Sequence, residues 1–350
     1  MKRNVIVIVL FLSLISWQCS RMISEPSLKQ SVEEGVSKIN TALTAISTTK
    51  GYELMSITGD VPKSEVAEAE TEYADSITLD LVSGIYSFQP RTFYCSHYRE
   101  PRWLFNKVGE SDSMIVNIPQ RMVFHPWKYL HFTTMADTAL RNDFVIAASD
   151  YHFYYTWWKR YDYKLTAGFT LEDEDIGSID VTATGDSYID HSYSMVYNFT
   201  DDLSVLVSKE KGDTMTSSFA LIEGDDTLLR EESVLIWKDF HEREKTYTLT
   251  IGDVQIVKST GVDSIQVYLE SVLQKEAAAI ITDDSEETHS ICRRRDIQLT
   301  FDDGTTVKLS ELLQPALTTL KTLVPAMHSM YFAKHVVDHI ALTIYYHSHN

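Results

Sequence analysis

At 350 residues, with 44% hydrophobic and 11% aromatic residues against only 13 Gly and 8 Pro, the chain can bury a large core, which excludes a mostly disordered polymer. Its 50 acidic residues outnumber 31 basic ones, giving a formal net charge of −19. Such a surface repels phosphate backbones and anionic bilayers, so neither nucleic-acid binding nor docking on lipid through a basic face is expected.

The N-terminus places Lys2 and Arg3 before an apolar run over residues 5–15, and polar residues resume directly after Cys19. This is the three-part layout of an export signal, and the run is too short for a membrane span, which needs about 20 apolar residues. The stretch Leu14, Ile15, Ser16, Trp17, Gln18, Cys19 resembles a lipobox, with Trp17 and Gln18 standing where small residues are common. In that loose form it is similar to the boxes of Bacteroidota envelope lipoproteins. The resemblance implies cleavage before Cys19, acylation of its thiol and amine, and the lipid bilayer as first partner. Several acyl chains hold firmly where one is marginal, at about 0.8 kcal/mol per buried methylene. Ser20, Arg21 and Met22 lack the acidic run that resembles a surface-export signal, which implies the periplasmic side of the outer membrane. Residues 1–18 are therefore read as signal peptide, 19–26 as a tether and 27–350 as one domain.

Ser27 stands where a helix N-cap would, ahead of Leu28, Val32, Val36, Ile39, Leu43 and Ile46, whose spacings of three and four predict an amphipathic helix that Gly51 is placed to stop. From about residue 78 to 301 the pattern changes to short alternating or β-branched runs broken by Gly, Asp and Asn, the signature of antiparallel strands. Tyr193, Met195, Tyr197 and Phe199 alternate with Ser194, Val196 and Asn198. Further runs cover 203–207, 219–222, 228–237, 247–251 and 254–257, and Asp302-Asp303-Gly304 joins the arms of a hairpin over 297–309. Residues 264–281, with Leu269, Val272, Leu273 and Ala277 to Ala279, are read as a helix, and Asp283 to Glu287 as a surface loop. Pro315 and Pro325 are expected to open or kink two terminal helices, the second over 326–345.

A helix, then many strands, then helices argues for α+β: a mainly antiparallel, twisted or half-barrel sheet flanked by N- and C-terminal helices. In outline this resembles the half-barrel of periplasmic lipoprotein carriers.

Catalytic motifs are lacking: there is no G-x-S-x-G, no G-x-x-x-x-G-K-[ST] and no C-x-x-C, and His241-Glu242 does not continue as H-E-x-x-H. No resident cofactor is expected. Cys95 and Cys292 could pair in an oxidising compartment, but two cysteines make no framework. His328, His335 and His339 fall in one helical stripe where neutral imidazoles could share a metal, with Asp338 to orient a ligand. The acidic run Glu172 to Asp175 does not fit the calcium loop of an EF-hand. The densest aromatic stretch includes Trp127, and then Tyr151, Phe153, Tyr155 and Trp157 alternating with His152, Tyr154 and Trp158. Flat rings of this kind suit sugar faces or apolar ligands, so Trp127, Tyr155, Trp157 and Trp158 are the candidate contacts.

The expected function is a membrane-anchored, non-enzymatic envelope lipoprotein that binds a glycan, a lipid or an envelope protein. The alternatives are an envelope hydrolase, metal-dependent through the histidines, and a structural envelope component.

Overall fold

The computed structural model describes residues 27–57, 75–88, 105–119, 141–156, 160–186, 190–238, 243–262, 264–283 and 295–349. Cys19, Cys95, Cys292, Trp127, Trp157 and Trp158 lie outside them.

Helix α1 (Leu28–Ser47) starts where the capping pattern places it. Ser27 is extended, and its Oγ accepts from the Gln30 N–H at 3.2 Å. Leu28, Val32, Val36, Ile39, Leu43 and Ile46 are all buried. Gly51, however, does not end this helix. Thr48 caps it, and Gly51 sits in the first turn of α2 (Lys50–Ile57). Its lack of a side chain serves packing, because a Cβ there would lie 2.3 Å from the Ile176 carbonyl oxygen.

Fifteen strands form one sheet. In chain order they are β1 (Asp75–Thr78), β2 (Gly84–Phe88), β3 (Phe105–Gly109), β4 (Met114–Ile118), β5 (Phe144–Tyr155), β6 (Tyr161–Leu171), β7 (Glu174–Gly185), β8 (His191–Asn198), β9 (Leu203–Lys211), β10 (Thr214–Glu223), β11 (Asp226–Trp237), β12 (Arg243–Ile251), β13 (Val254–Ser259), β14 (Gln266–Leu269) and β15 (Val272–Leu273). From β4 to β15 each strand pairs antiparallel with the next. β2 joins β4 in parallel, with β3 outside it, and β1 pairs with the second half of β5. The sheet does not close into a barrel. The expected α+β class, with a mainly antiparallel sheet and helices at both ends, is what the chain adopts.

One face of the sheet is apolar. Phe144, Ile146 and Ala148 point to it, a register shift before Asp150 skips one residue, and Tyr151, Phe153 and Tyr155 continue on the same side. Leu165, Ala167, Phe169, Val181, Met195, Tyr197, Val205 and Leu221 follow on later strands and are fully or nearly buried. The opposite face carries polar rungs such as Thr184–Ser192 and Ser208–Ser218, each 2.7 Å apart. One buried and one wetted face is the usual state of an antiparallel sheet.

The segment read as a helix over 264–281 is strand instead. Glu270 and Ser271 take φ of 49° and 68°, which closes a two-residue hairpin between β14 and β15. The chain then enters a second sheet, β16 (Ala278–Asp283), β17 (Arg295–Thr300) and β18 (Thr306–Lys308). Its β17–β18 hairpin turns at Gly304, φ 77°, as the Asp302-Asp303-Gly304 sequence requires. The likewise acidic Glu172 and Asp173, at φ 51° and 66°, form the β6–β7 turn.

The helices cover the apolar face. α3 (Leu79–Val82) and α4 (Leu309–Leu312) are single turns, and α5 (Gln314–His349) is one helix of 36 residues. Pro315 lies at its start, as expected, but Pro325 does not divide it. The one backbone bond that Pro325 forgoes is offset by burial of both halves, from Ala316 and Leu323 to Val336, Val337 and Ala341. α5 packs on α1, α2, α3 and β1, and α1 on β11 to β13.

Gly51→Ala is expected to cost about 1–3 kcal/mol, because the new methyl group overpacks α2 against β7. Denaturant unfolding measures this, and an unchanged midpoint would mean that α2 is not held to β7 at this point.

Candidate functional site

Two regions gather side chains with chemistry. The first is where α5 meets the sheet. Residues four apart on a helix share a face, and the Lys334 ammonium donates to Asp338 Oδ2 at 2.5 Å, both side chains being about 15% exposed or less. The Tyr151 hydroxyl on β5 donates to Asp338 Oδ1 at 3.2 Å. Lys334 Nζ also lies 4.0 Å from the centroid of the Tyr163 ring on β6, which meets Tyr151 edge-on at 6.0 Å. Burial first, then the Asp338 carboxylate, pushes the Tyr151 hydroxyl well above its ordinary pKa, so it stays a donor.

This arrangement changes the reading of the histidine stripe. Asp338 does not orient an imidazole: Oδ1 accepts from Tyr151 and Oδ2 from Lys334. His335 and His339 lie one turn apart with buried Nε2 atoms, whereas the side chain of His328 is outside the described residues. Among the described residues no three His, Cys, Asp or Glu side chains are placed to hold a metal ion. The His335 imidazole falls to about 4, mainly by burial and then by the neighbouring Lys334 charge. The ring is therefore neutral at pH 7.

The second region continues the core face past the helices. On β5 to β8 the paired register brings Tyr155 opposite Tyr161, Tyr161 opposite Gly185, and Gly185 opposite His191. A Cβ on Gly185 would lie 2.3 Å from the Tyr161 ring, so that ring occupies the space over the glycine. The row runs on through Lys211, Met215 and Leu235 to Lys245 on β12. A parallel row beside it carries Tyr193, Lys209, Ser217, Ser233, Tyr247 and Lys258. Trp237 and Arg243 pair at the outer end of β11 and β12. The rings are half-buried except for the exposed Trp237, and Lys209, Arg243 and Lys245 are exposed.

Of the four aromatic residues singled out in the sequence, Tyr155 is the one within the described residues, and it belongs to this band. Tyr161, from the same aromatic stretch of the sequence, and Tyr193, Trp237 and Tyr247, from outside it, line the same face and were not among the candidate contacts. The signal that would have found them is period-two alternation carried across paired strands. Electrostatically the band is positive at β8–β9: burial first, then Lys211 and Lys209, lowers the His191 pKa. Tyr247 is pushed upward by burial and by the Glu231 carboxylate that its hydroxyl meets.

Comparison with protein-family models, curated proteins and solved structures gives no match to this chain. Among the described residues no helix is long and apolar enough to cross a membrane.

Asp338→Ala strands the Lys334 ammonium in a nearly dry site and is expected to cost roughly 3–5 kcal/mol, against about 1.5–3 kcal/mol for Tyr151→Phe, which removes one bond to a charged group. Equal losses in chemical denaturation would contradict this ranking. The depressed His335 pKa carries its own sign. The unfolded chain takes up that proton near the ordinary 6.5 and the folded one only near 4, so stability falls as pH drops from about 6.5 towards 4. His335→Gln should remove that part of the slope, and parallel stability curves for the two proteins would rule the assignment out.

Proposed function

We propose that the chain is an exported lipoprotein, acylated on Cys19 and facing the periplasm from the outer membrane, whose sheet binds an extended ligand without catalysis. The anchoring half rests on the basic start, the short apolar run and the lipobox-like residues 14–19. From Cys19 to the cap at Ser27 the chain is short, which keeps the sheet close to the bilayer.

The binding half rests on one observation: Tyr155, Tyr161, Tyr193, Tyr247 and Trp237 share the core face of the sheet, beyond the buried row that the helices cover. Half-buried rings that the described helices leave partly accessible suit the flat faces of sugars. Under α5, Tyr151, Asp338 and Lys334 bond to one another and serve packing, so recognition is placed on the band instead.

Cys19→Ala should lose radiolabelled palmitate and shift from membrane to soluble fractions; unchanged membrane association would defeat the anchoring half. For the binding half, Trp237→Ala with Tyr247→Ala should abolish retention of glycan by the purified full chain, read by native mass spectrometry, while leaving its circular dichroism unaltered. Retention by the folded double variant would sink the reading.

A further inference from the structure

Charges on β9 to β13 are sorted between the two faces of the sheet. The core-side rows carry Lys209, Lys211, Arg243, Lys245 and Lys258 against Glu231 and, opposite Leu203 at the far end of β10, Glu223. The opposite face of the same strands carries Glu210, Glu232 and Glu244, with its one arginine, Arg230, bound to Glu232 at 2.6 Å. Lys258 donates to the Val262 carbonyl at 2.8 Å. Lys209, Lys211, Arg243 and Lys245 enter no ion pair among the described residues. In a chain of net charge −19, this is a local reversal of sign.

The cations also form two groups. Lys209 and Lys211 stand on β9, and Arg243 and Lys245 on β12, three strand spacings away, or about 14 Å at roughly 4.8 Å each. Between them lies a neutral floor of Met215, Ser217, Ser233 and Leu235, with Tyr193 at one end and Tyr247 and Trp237 at the other. A compact anion could reach one group but not both. A chain whose negative charges recur at intervals, with rings between them that can lie on the floor and against the aromatic residues, matches both.

We propose that this band binds an acidic polysaccharide, such as a polyuronate or a sulfated glycan, laid across β9 to β12. The proposal rests on the binding half of the functional reading and specifies the class of its ligand. An acidic polypeptide adding as a strand is disfavoured, because β9 to β12 are paired on both sides and their backbone bonds are already used. A flat anionic bilayer is disfavoured too, because it would also meet the exposed Asp190 and Asp213 at the strand ends beside the band.

The test is affinity electrophoresis and calorimetry of the full chain in neutral detergent, with polygalacturonate, heparin, dextran, poly-glutamate and vesicles of anionic phospholipid as probes. Polygalacturonate or heparin should bind, more weakly as salt rises, and dextran should not. Lys209→Glu with Lys211→Glu, and separately Arg243→Glu with Lys245→Glu, should each weaken binding about tenfold or more. Lys164→Glu with Arg230→Glu, the same change of charge on the opposite face, should leave it unaltered. Equal weakening by all three double variants, no binding of either acidic glycan, or preferential binding of poly-glutamate or vesicles would overturn the proposal. Dextran binding that is lost in the Trp237→Ala, Tyr247→Ala variant would also overturn it, while leaving the broader binding reading intact.

Discussion

The fold depends on a mismatch between the area of apolar sheet and the helices available to cover it. Strict alternation gives nearly the whole open sheet one apolar face, and β5 to β7 and β9 to β12 run 9 to 12 residues, roughly 30–40 Å at about 3.3 Å per residue. A helix is only about 10 Å across, and α1 and α5 are the two long ones described. The row from Tyr151 through Leu165, Val181 and Met195 is buried, with α5 against Tyr151 and Tyr163 and α1 against β11 to β13, and among the described residues the strand ends beyond it are only half-buried. Side chains there change accordingly, from Leu, Val and Met to Tyr, Ser and Lys, which present a polar tip or a charged head to water.

The junction under α5 shows how such a cover is kept in register. An apolar helix on an apolar sheet can slide, since hydrophobic contact is not directional. Lys334 and Asp338 remove that freedom, because only one placement lets Asp338 reach Tyr151 while Lys334 lies over Tyr163. A buried ion pair of this kind contributes little net stability over a hydrophobic replacement, so its value here is in specifying position. The sheet's free edge is treated differently. β15 is only two residues long, so it offers little backbone for another chain to pair with, although Val272 is 63% exposed.

Local patterns were legible wherever they carried their own punctuation. Ser27 with its apolar stripe, Gly304 after two aspartates, and the alternation from Tyr193 to Phe199 each specify an element without outside help. The stretch 264–281 was not legible, because its hairpin turns at Glu270 and Ser271, residues without the Gly or Asn that normally marks two consecutive positive φ angles. The aromatic band was half legible. Tyr155 stood out by local density, whereas Tyr193, Tyr247 and Trp237 lie far apart in the chain and meet only through strand register. For the same reason Asp338 read as a partner for the histidines beside it in sequence, when its hydrogen-bond donor from the sheet is Tyr151, 187 positions away.

Net charge misleads about this surface in the same way. A total of −19 argues against any polyanion only if the charges act as one average field. At physiological salt the Debye length is about 8 Å, so exposed charges farther apart than that scarcely interact. Between Lys209 and Lys211 on one side and Arg243 and Lys245 on the other lie neutral and aromatic side chains, with Asp190 and Asp213 at the strand ends beside Lys211, whereas Glu210, Glu232 and Glu244 project from the other side of the sheet. A ligand lying within the band is governed by the near cations. The distant acids act on it mainly before contact, by slowing the approach of polyanions that meet the wrong face, so the acidity that argues against binding elsewhere on the molecule confines it to this face.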